Sequence, residues 1–300
     1  MRASGIHSRM SKIKPPMSGQ ELVAALRAGD TRLRVVDARF ELSDPAFGRA
    51  AYAAGHVPGA VHLDLDDDLS GPKGVHGGRH PLPDLEELAT KLGALGIGDE
   101  HSVVVYDHAG GMYAGRAVWL LRFAGHDDVR LLDGGLDAYL AAGGVLTTAE
   151  PGHARAAFSV MPRPEMVVDA EQVAAAIGSD DVVLLDARAP ERYRGETEPL
   201  DPKAGHIPGA LNRFFAANLQ DGRFLTATEL RKHLDLPAGV ADGSKTVIAY
   251  CGSGVTGAHL VLALELAGYP GAKLYAGSWS DWSSRDLPVA VGAEGQGSGG

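Results

Sequence analysis

Short apolar runs recur along the chain, each set off from the next by a stretch with helical signals. Leu33–Val36, Val103–Tyr106, Val129–Leu132, Val182–Leu185, Thr246–Tyr250 and Ala272–Tyr275 are the strand candidates. Short, mostly apolar runs of this length fit strands buried on both faces rather than on one. Helices are expected between them. Ser18 and Glu21 form a capping box that opens a helix through Leu26, and Thr226 and Glu229 form another; in this pattern each side chain takes an N–H of the first turn. Asp84–Leu92, Ala114–Phe123, Asp169–Ile177 and Ala258–Leu266 complete the set, the last ended by Gly268. The alternation predicts an α/β fold of mostly parallel sheets with helices on both faces.

The pattern occurs twice. Val35-Val36-Asp37-Ala38-Arg39 returns as Leu184-Leu185-Asp186-Ala187-Arg188, and Ala54-Gly55-His56-Val57-Pro58-Gly59-Ala60 as Ala204-Gly205-His206-Ile207-Pro208-Gly209-Ala210. Val103–Tyr106 answers Val247–Tyr250. The order is kept at a spacing of about 150 residues falling to about 143, far longer than a solenoid period. Two tandem domains are therefore expected, over 18–149 and 167–289. Residues 150–166, with prolines and no period, form a linker, and Gly292–Gly300 a flexible tail.

Composition narrows the class. The 300 residues suffice for two domains, and 45% hydrophobic with 22% charged residues is the balance of a soluble globular protein. A formal charge of −10 argues against a nucleic-acid surface and against anionic membranes. No apolar run approaches the roughly 20 residues of a membrane span. A single cysteine means no internal disulfide, which fits a cytoplasmic protein, and no second thiol in the chain to resolve an oxidised one. Met1–Pro16 is basic and lacks an apolar core, so it reads as a disordered leader, with a transit peptide as the other reading and a secretory signal excluded. Two packed halves would make a complete monomer.

That one cysteine stands in Tyr250-Cys251-Gly252-Ser253-Gly254-Val255-Thr256, where a strand hands over to a helix. The first N–H groups of a helix lack partners and its dipole is positive there, so a thiolate is stabilised and the reactive anion favoured. Gly252 and Gly254 can take φ > 0 and let the loop curl until several N–H groups point at the sulfur. Gly252–Gly257 also matches the dinucleotide pattern G-x-G-x-x-G. No carboxylate follows the next strand, in Ala276-Gly277-Ser278, to hold a ribose. The first-half position answering Cys251 is Asp107, which cannot act as a thiol nucleophile, so only the second half can do thiol chemistry.

Asp-Ala-Arg after a strand and Gly-His-(Ile/Val)-Pro-Gly-Ala in both halves, with Cys-Gly-Ser-Gly-Val-Thr in the second, resemble the tandem-domain rhodanese family of sulfurtransferases from about Ser18 to Pro288. The uncharged loop resembles the 3-mercaptopyruvate branch; the thiosulfate branch carries basic residues directly after the cysteine. The resemblance implies that Cys251 takes a sulfane sulfur as a persulfide and passes it to cyanide, a thiol or thioredoxin, with no metal or organic cofactor. The N–H groups from Gly252 through Ser253, Gly254, Val255 and Thr256 would cradle that sulfur. Arg192 matches a substrate arginine of the family, and Arg116 resembles a first-domain arginine facing the site. Where the mercaptopyruvate branch carries a second arginine this chain has Asp201, with Lys203 nearby as a substitute point charge; thiosulfate therefore stays open as donor. Ser253 with His56 and Asp44 resembles a proton relay of that branch, although His56 has a repeat partner in His206, which favours a structural role. Arg39 with Asp37 and Arg188 with Asp186 also repeat and read as structural ion pairs.

Other classes fit less well. A phosphatase of the Cys-loop type needs an arginine closing the loop, and none occurs from Gly252 to Ala258. A non-catalytic persulfide carrier would accept sulfur without turning over. No HExxH, CxxC or ligand cluster indicates a metal.

Overall fold

The computed structural model describes residues 12–293; residues 1–11 of the leader expected over Met1–Pro16, and the end of the tail, lie outside the described residues. The first half contains β1 (Leu33–Asp37), β2 (Ala60–His62), β3 (Ser102–Tyr106) and β4 (Val129–Leu131), with α1 (Gly19–Arg27), α2 (Phe47–Ala54), α3 (Leu85–Ala94), α4 (Met112–Phe123) and α5 (Gly135–Ala141). Its sheet has the order β2-β1-β3-β4, all parallel. The second half contains β5 (Val167–Val168), α6 (Ala170–Ala176), β6 (Val182–Asp186), α7 (Pro190–Tyr193) and β7 (Leu211–Asn212). After them come the hairpin β8 (Leu219–Gln220) and β9 (Arg223–Phe224), then α8 (Ala227–Leu234), β10 (Thr246–Tyr250), α9 (Val255–Leu266), β11 (Lys273–Tyr275) and α10 (Ser278–Trp282). Its sheet has the order β5-β11-β10-β6-β7, again parallel. Met17 bridges to Leu132 beside β4, at the edge that β5 occupies in the second half. Between the halves, residues 150–163 carry no helix or strand.

The helix starts follow from their caps. Ser18 with Glu21, Thr226 with Glu229, and also Asp169 with Gln172 make reciprocal capping boxes. Asp84 accepts the N–H groups of Glu86 and Glu87 at the head of α3. Helices α2, α5, α7 and α10 and the β8–β9 hairpin were not foreseen from the apolar pattern.

The two halves share one core. Helix α4 is buried from Tyr113 to Phe123, and α9 is buried around nearly its whole circumference. Such a helix must be covered on every side: α9 lies against its own sheet on one face and against α4 on the other. Gly115 permits that approach, since a Cβ there would stand 3.3 Å from His259 Cα. A buried ion pair, in which Arg122 Nη1 donates to both Glu265 oxygens (2.8 and 2.9 Å), crosses the seam. The largest apolar cluster accordingly mixes Trp119 and Leu120 with Leu262 and Leu264. Two smaller clusters cover the outer faces, one of them holding Trp279 and Trp282, both fully buried core residues.

Candidate active site

Cys251 follows β10 directly and is almost fully buried. Its Sγ accepts the Gly254 N–H at 3.2 Å, a bond only the tight turn before α9 can supply. Gly254 is the residue that needs to be glycine: φ is +81°, and a Cβ would meet Ala276 O at 2.4 Å. Gly252 does not take a positive φ, contrary to the expectation from sequence. Its lack of a side chain serves a different end, because a Cβ there would stand 3.0 Å from Arg79 Nη2 and 3.5 Å from Arg192 Nη1. The start of α10 fixes the loop from behind. Ser278 Oγ accepts the Cys251 N–H (3.0 Å), while the N–H groups of Trp279 and Ser280 donate to Cys251 O (2.9 Å) and Gly252 O (2.8 Å). Ser278 holds φ +54°, sparsely allowed for a non-glycine residue, and its hydroxyl is pinned to Tyr275 O.

This loop forms the floor of a cavity of about 220 Å³ to which both halves contribute. Val255 and Thr256, the first residues of α9, line it with Ser253. Three larger hollows, about 440, 480 and 530 Å³, lie elsewhere, and Cys251 lines none of them. The only charged side chains among the lining residues are Arg79, Arg188 and Arg192. Arg188 is committed to structure. It pairs with Asp186 and Glu198, donates to Gly205 O and lies 4.6 Å over the Trp279 ring. Its repeat partner Arg39 does the same with Asp37 and Gly55 O. Arg192, on α7, donates from Nη2 to Glu198 (2.6 Å) and Asp201 (3.2 Å). Arg79 donates from Nη1 to the other oxygen of Asp201. Lys203 does not face the loop; its Nζ donates to Arg285 O at 2.6 Å.

Two expected placements are corrected. Arg116 is not a cavity residue: it is completely buried, and its guanidinium donates to Leu69 O, His80 O and Pro81 O of the first half and to Gly254 O of the loop (3.2–3.4 Å). Burial pushes it down to about 10, and the one charge opposing that shift is the Cys251 sulfur. Arg116 thus ties the loop to the first half rather than reaching a ligand. The expected relay of Ser253 with His56 and Asp44 is not assembled either. The His56 ring nitrogens are taken by Tyr52 O (2.8 Å) and Ala149 O (3.1 Å), and the ring stacks on Tyr52. Its twin His206 meets Tyr193 in the same way. Asp44 is an exposed turn residue that accepts the Ala46 N–H.

The partner of Ser253 is His80. Ser253 Oγ lies 2.8 Å from His80 Nδ1, and Asp66 Oδ1 lies 3.3 Å from His80 Nε2. Burial, with the positive charges of Arg116, Arg79 and Lys73, pushes His80 down to about 3, so the ring is neutral at pH 7. The Asp66 carboxylate beside Nε2 is a close charge contact rather than an aligned hydrogen bond; it favours the proton on that nitrogen, which leaves Nδ1 to accept from the serine hydroxyl. The segment bearing Arg79 and His80 is docked on α10, with Gly77 N–H on Asp281 (2.9 Å) and Arg79 N–H on Ser280 Oγ (3.1 Å). Sequence reasoning missed Arg79, His80 and Asp66. A usable signal was present: the polar residues that recur in both halves hold backbone, whereas this segment has no repeat counterpart among the matched motifs.

The corresponding turn of the first half is already occupied. Asp107 Oδ1 accepts the N–H groups of Ala109 and Gly111 (both 2.9 Å), and Oδ2 those of Tyr113 (2.8 Å) and Ala114 (2.9 Å). Among the described residues no group of three or more His, Cys, Asp or Glu side chains is placed to hold a metal ion, and no helix is long and apolar enough to cross a membrane.

Comparison with known proteins agrees with this architecture. The rhodanese-like domain model matches twice, over residues 18–142 and 169–285. A probable 3-mercaptopyruvate sulfurtransferase of Pseudomonas aeruginosa is 47% identical over 283 residues, covering 92% of this chain and 98% of its own. A putative thiosulfate sulfurtransferase, SseB, of Mycobacterium tuberculosis is 40% identical over 274 residues, covering 89% and 93%. The crystal structure of SseA from Escherichia coli, described for the rhodanese fold and mechanism of this 3-mercaptopyruvate class, superposes with a TM-score of 0.78 at 31% identity over 88% of this chain and 98% of that one. With both halves matched, and a cysteine loop in only one of them, the chain belongs to the rhodanese family as a two-domain member.

Proposed function

We propose that this protein is a sulfurtransferase that takes the sulfane sulfur of 3-mercaptopyruvate onto Cys251 as a persulfide and hands it to cyanide, a thiol or a reduced thioredoxin. The observation that carries the reading is the cavity itself: a lone thiol on its floor, at the head of a buried helix, faced by guanidinium groups and no carboxylate. Cys251 and the loop from Gly252 to Thr256 form the reacting and cradling groups, and Arg192 is a substrate cation. The loop carries no charge of its own, which suits a donor whose charge lies at the far end from its sulfur. The same reading has the enzyme acting as a cytoplasmic monomer, away from membranes and nucleic acid, with domains over 18–149 and 167–289.

The chemistry balances without a metal or organic cofactor. The Cys251 thiolate attacks the donor sulfur; the Sγ–S bond forms as the carbon–sulfur bond breaks. The electron pair passes to the three-carbon fragment as an enolate, which takes a proton and departs as pyruvate. The terminal sulfur loses the proton it brought, so the exchange is internal, and the Ser253 hydroxyl on neutral His80 is placed to relay it. The Gly254 N–H steadies the sulfur anion throughout. The acceptor then attacks the outer sulfur and restores the thiolate.

Thiosulfate is the second reading, favoured by Asp201 standing where the mercaptopyruvate branch carries an arginine. Thiocyanate formation from cyanide, with each donor in turn, tests both for the native protein and Cys251→Ser. Turnover that prefers 3-mercaptopyruvate and vanishes in the variant is the expected result. A preference for thiosulfate would overturn the donor assignment, and a well-folded protein inert with both donors would overturn the enzyme.

A further inference from the structure

Two arginines face the cysteine loop from opposite halves, and one carboxylate holds both. The Asp201 side chain is almost fully buried, with one oxygen taken by Arg79 Nη1 and the other by Arg192 Nη2. Each guanidinium is therefore tethered by one terminal nitrogen and presents the other to the loop. Arg79 Nη2 and Arg192 Nη1 are the side-chain atoms nearest the place where a Cβ on Gly252 would stand, at 3.0 and 3.5 Å. The space a side chain would fill beside the nucleophile is thus framed by one terminal nitrogen from each guanidinium. Both arginines line the cavity, whereas Asp201 and Glu198 do not. The acids sit behind the guanidinium groups, where they fix them without facing a ligand. One terminal nitrogen from each guanidinium gives a carboxylate two charge-assisted donors, one for each oxygen.

Resting on the sulfurtransferase reading, we infer that Arg79 of the first half is a donor-binding residue, that it and Arg192 together grip the carboxylate of a 2-oxo acid donor, and that Asp201 is the positioning residue that sets the two guanidinium groups side by side. Recognition of the donor then requires both halves, and glycine at 252 is required to leave the carboxylate its place.

The test separates carboxylate recognition from sulfur transfer. Cys251 is alkylated with iodoacetate and with iodoacetamide, which differ in charge at the end that would meet the guanidinium groups, and the ratio of the two rates is compared in native protein, Arg79→Ala, Arg79→Lys and Asp201→Asn. In parallel, KM and kcat for 3-mercaptopyruvate are measured. The expected result is a fall in the iodoacetate to iodoacetamide ratio of about tenfold in Arg79→Ala, an intermediate value in Arg79→Lys, and a rise in KM that exceeds any fall in kcat. Asp201→Asn should also raise KM more than it lowers kcat, because both arginines stay but their register is lost. An unchanged ratio and KM in a folded Arg79→Ala or Arg79→Lys, even with a lower melting temperature, would overturn the inference and leave Arg79 a structural ion pair. A native protein without turnover on 3-mercaptopyruvate that still shows the ratio effect would overturn the activity and keep the carboxylate site.

Discussion

After β3 and after β10 the chain makes the same manoeuvre, a turn that leads into a long buried helix, and the two turns end up with opposite contents. In the first, Asp107 folds its carboxylate back onto four N–H groups of its own turn and of α4. In the second, Cys251 is too short to do so and takes one, from Gly254. A cradle that closes on itself is a structural device. One left open for a sulfur anion and what it carries is a site. The first half has not become inert, however. It contributes Arg79 and His80, which face the open turn from across the seam, and Asp66 behind His80.

Copying the first turn into the second should break the contrast most sharply. Cys251→Asp is expected to abolish thiocyanate formation while the protein keeps its fold by circular dichroism. Next come the groups lent across the seam. Ser253→Ala and His80→Asn should lower kcat with 3-mercaptopyruvate by about a hundredfold, a usual size for loss of acid–base help. With thiosulfate the loss should be much smaller, since the departing sulfite needs no proton. His56→Asn should affect the melting temperature and leave the ratio of the two donors' rates unchanged. Emptying the closed cradle is a matter of stability. Asp107→Ala strands four N–H groups, so unfolding by denaturant should come earlier by about 3 kcal/mol, with turnover per folded molecule retained.

The smallest effect concerns the contact of α9 with the first turn. His259, on α9, reaches the Gly110 carbonyl of the first turn (3.2 Å) and stacks on Phe224. Full burial pushes it down to about 4. An unfolded histidine titrates near 6.5, so between pH 6.5 and 4 the unfolded chain binds the extra proton and stability falls as the pH is lowered. His259 should account for about 2 kcal/mol of the loss between pH 7 and 5. Unfolding midpoints of native protein and His259→Gln at the two pH values check this: the difference between pH 7 and 5 should shrink in the variant.

What the chain revealed before folding depended on how local each signal was. Strands β3, β6 and β10 are built on contiguous apolar runs, β1 on one broken only by Arg34, and the caps of α1 and α8 are written within four residues, so pattern alone located them. Helices α7 and α10 have only four and five residues, too few to establish a period. Helix α5 opens on two glycines with positive φ, Gly134 as its cap and Gly135 as its first residue, which read as a turn. The site divides in the same way. Cys251 and its loop are consecutive, and the apolar helix behind them is unmistakable. Ser253 and His80 are 173 residues apart, in different halves, and no periodicity links them. The repeat could still have helped: it identified His56 as half of a structural pair, and by the same logic it pointed away from His56 to a histidine without a twin.

The shared core has a consequence for how much the covalent connection between the halves matters. Helices α4 and α9 are each other's wall, and neither half owns enough apolar packing to close its own inner face. A cut in the irregular stretch over 150–163 should therefore leave two fragments that stay together and remain active, and separately expressed halves should recover activity only on mixing. In this molecule the unit that folds is the pair, although the unit that was duplicated was the single domain.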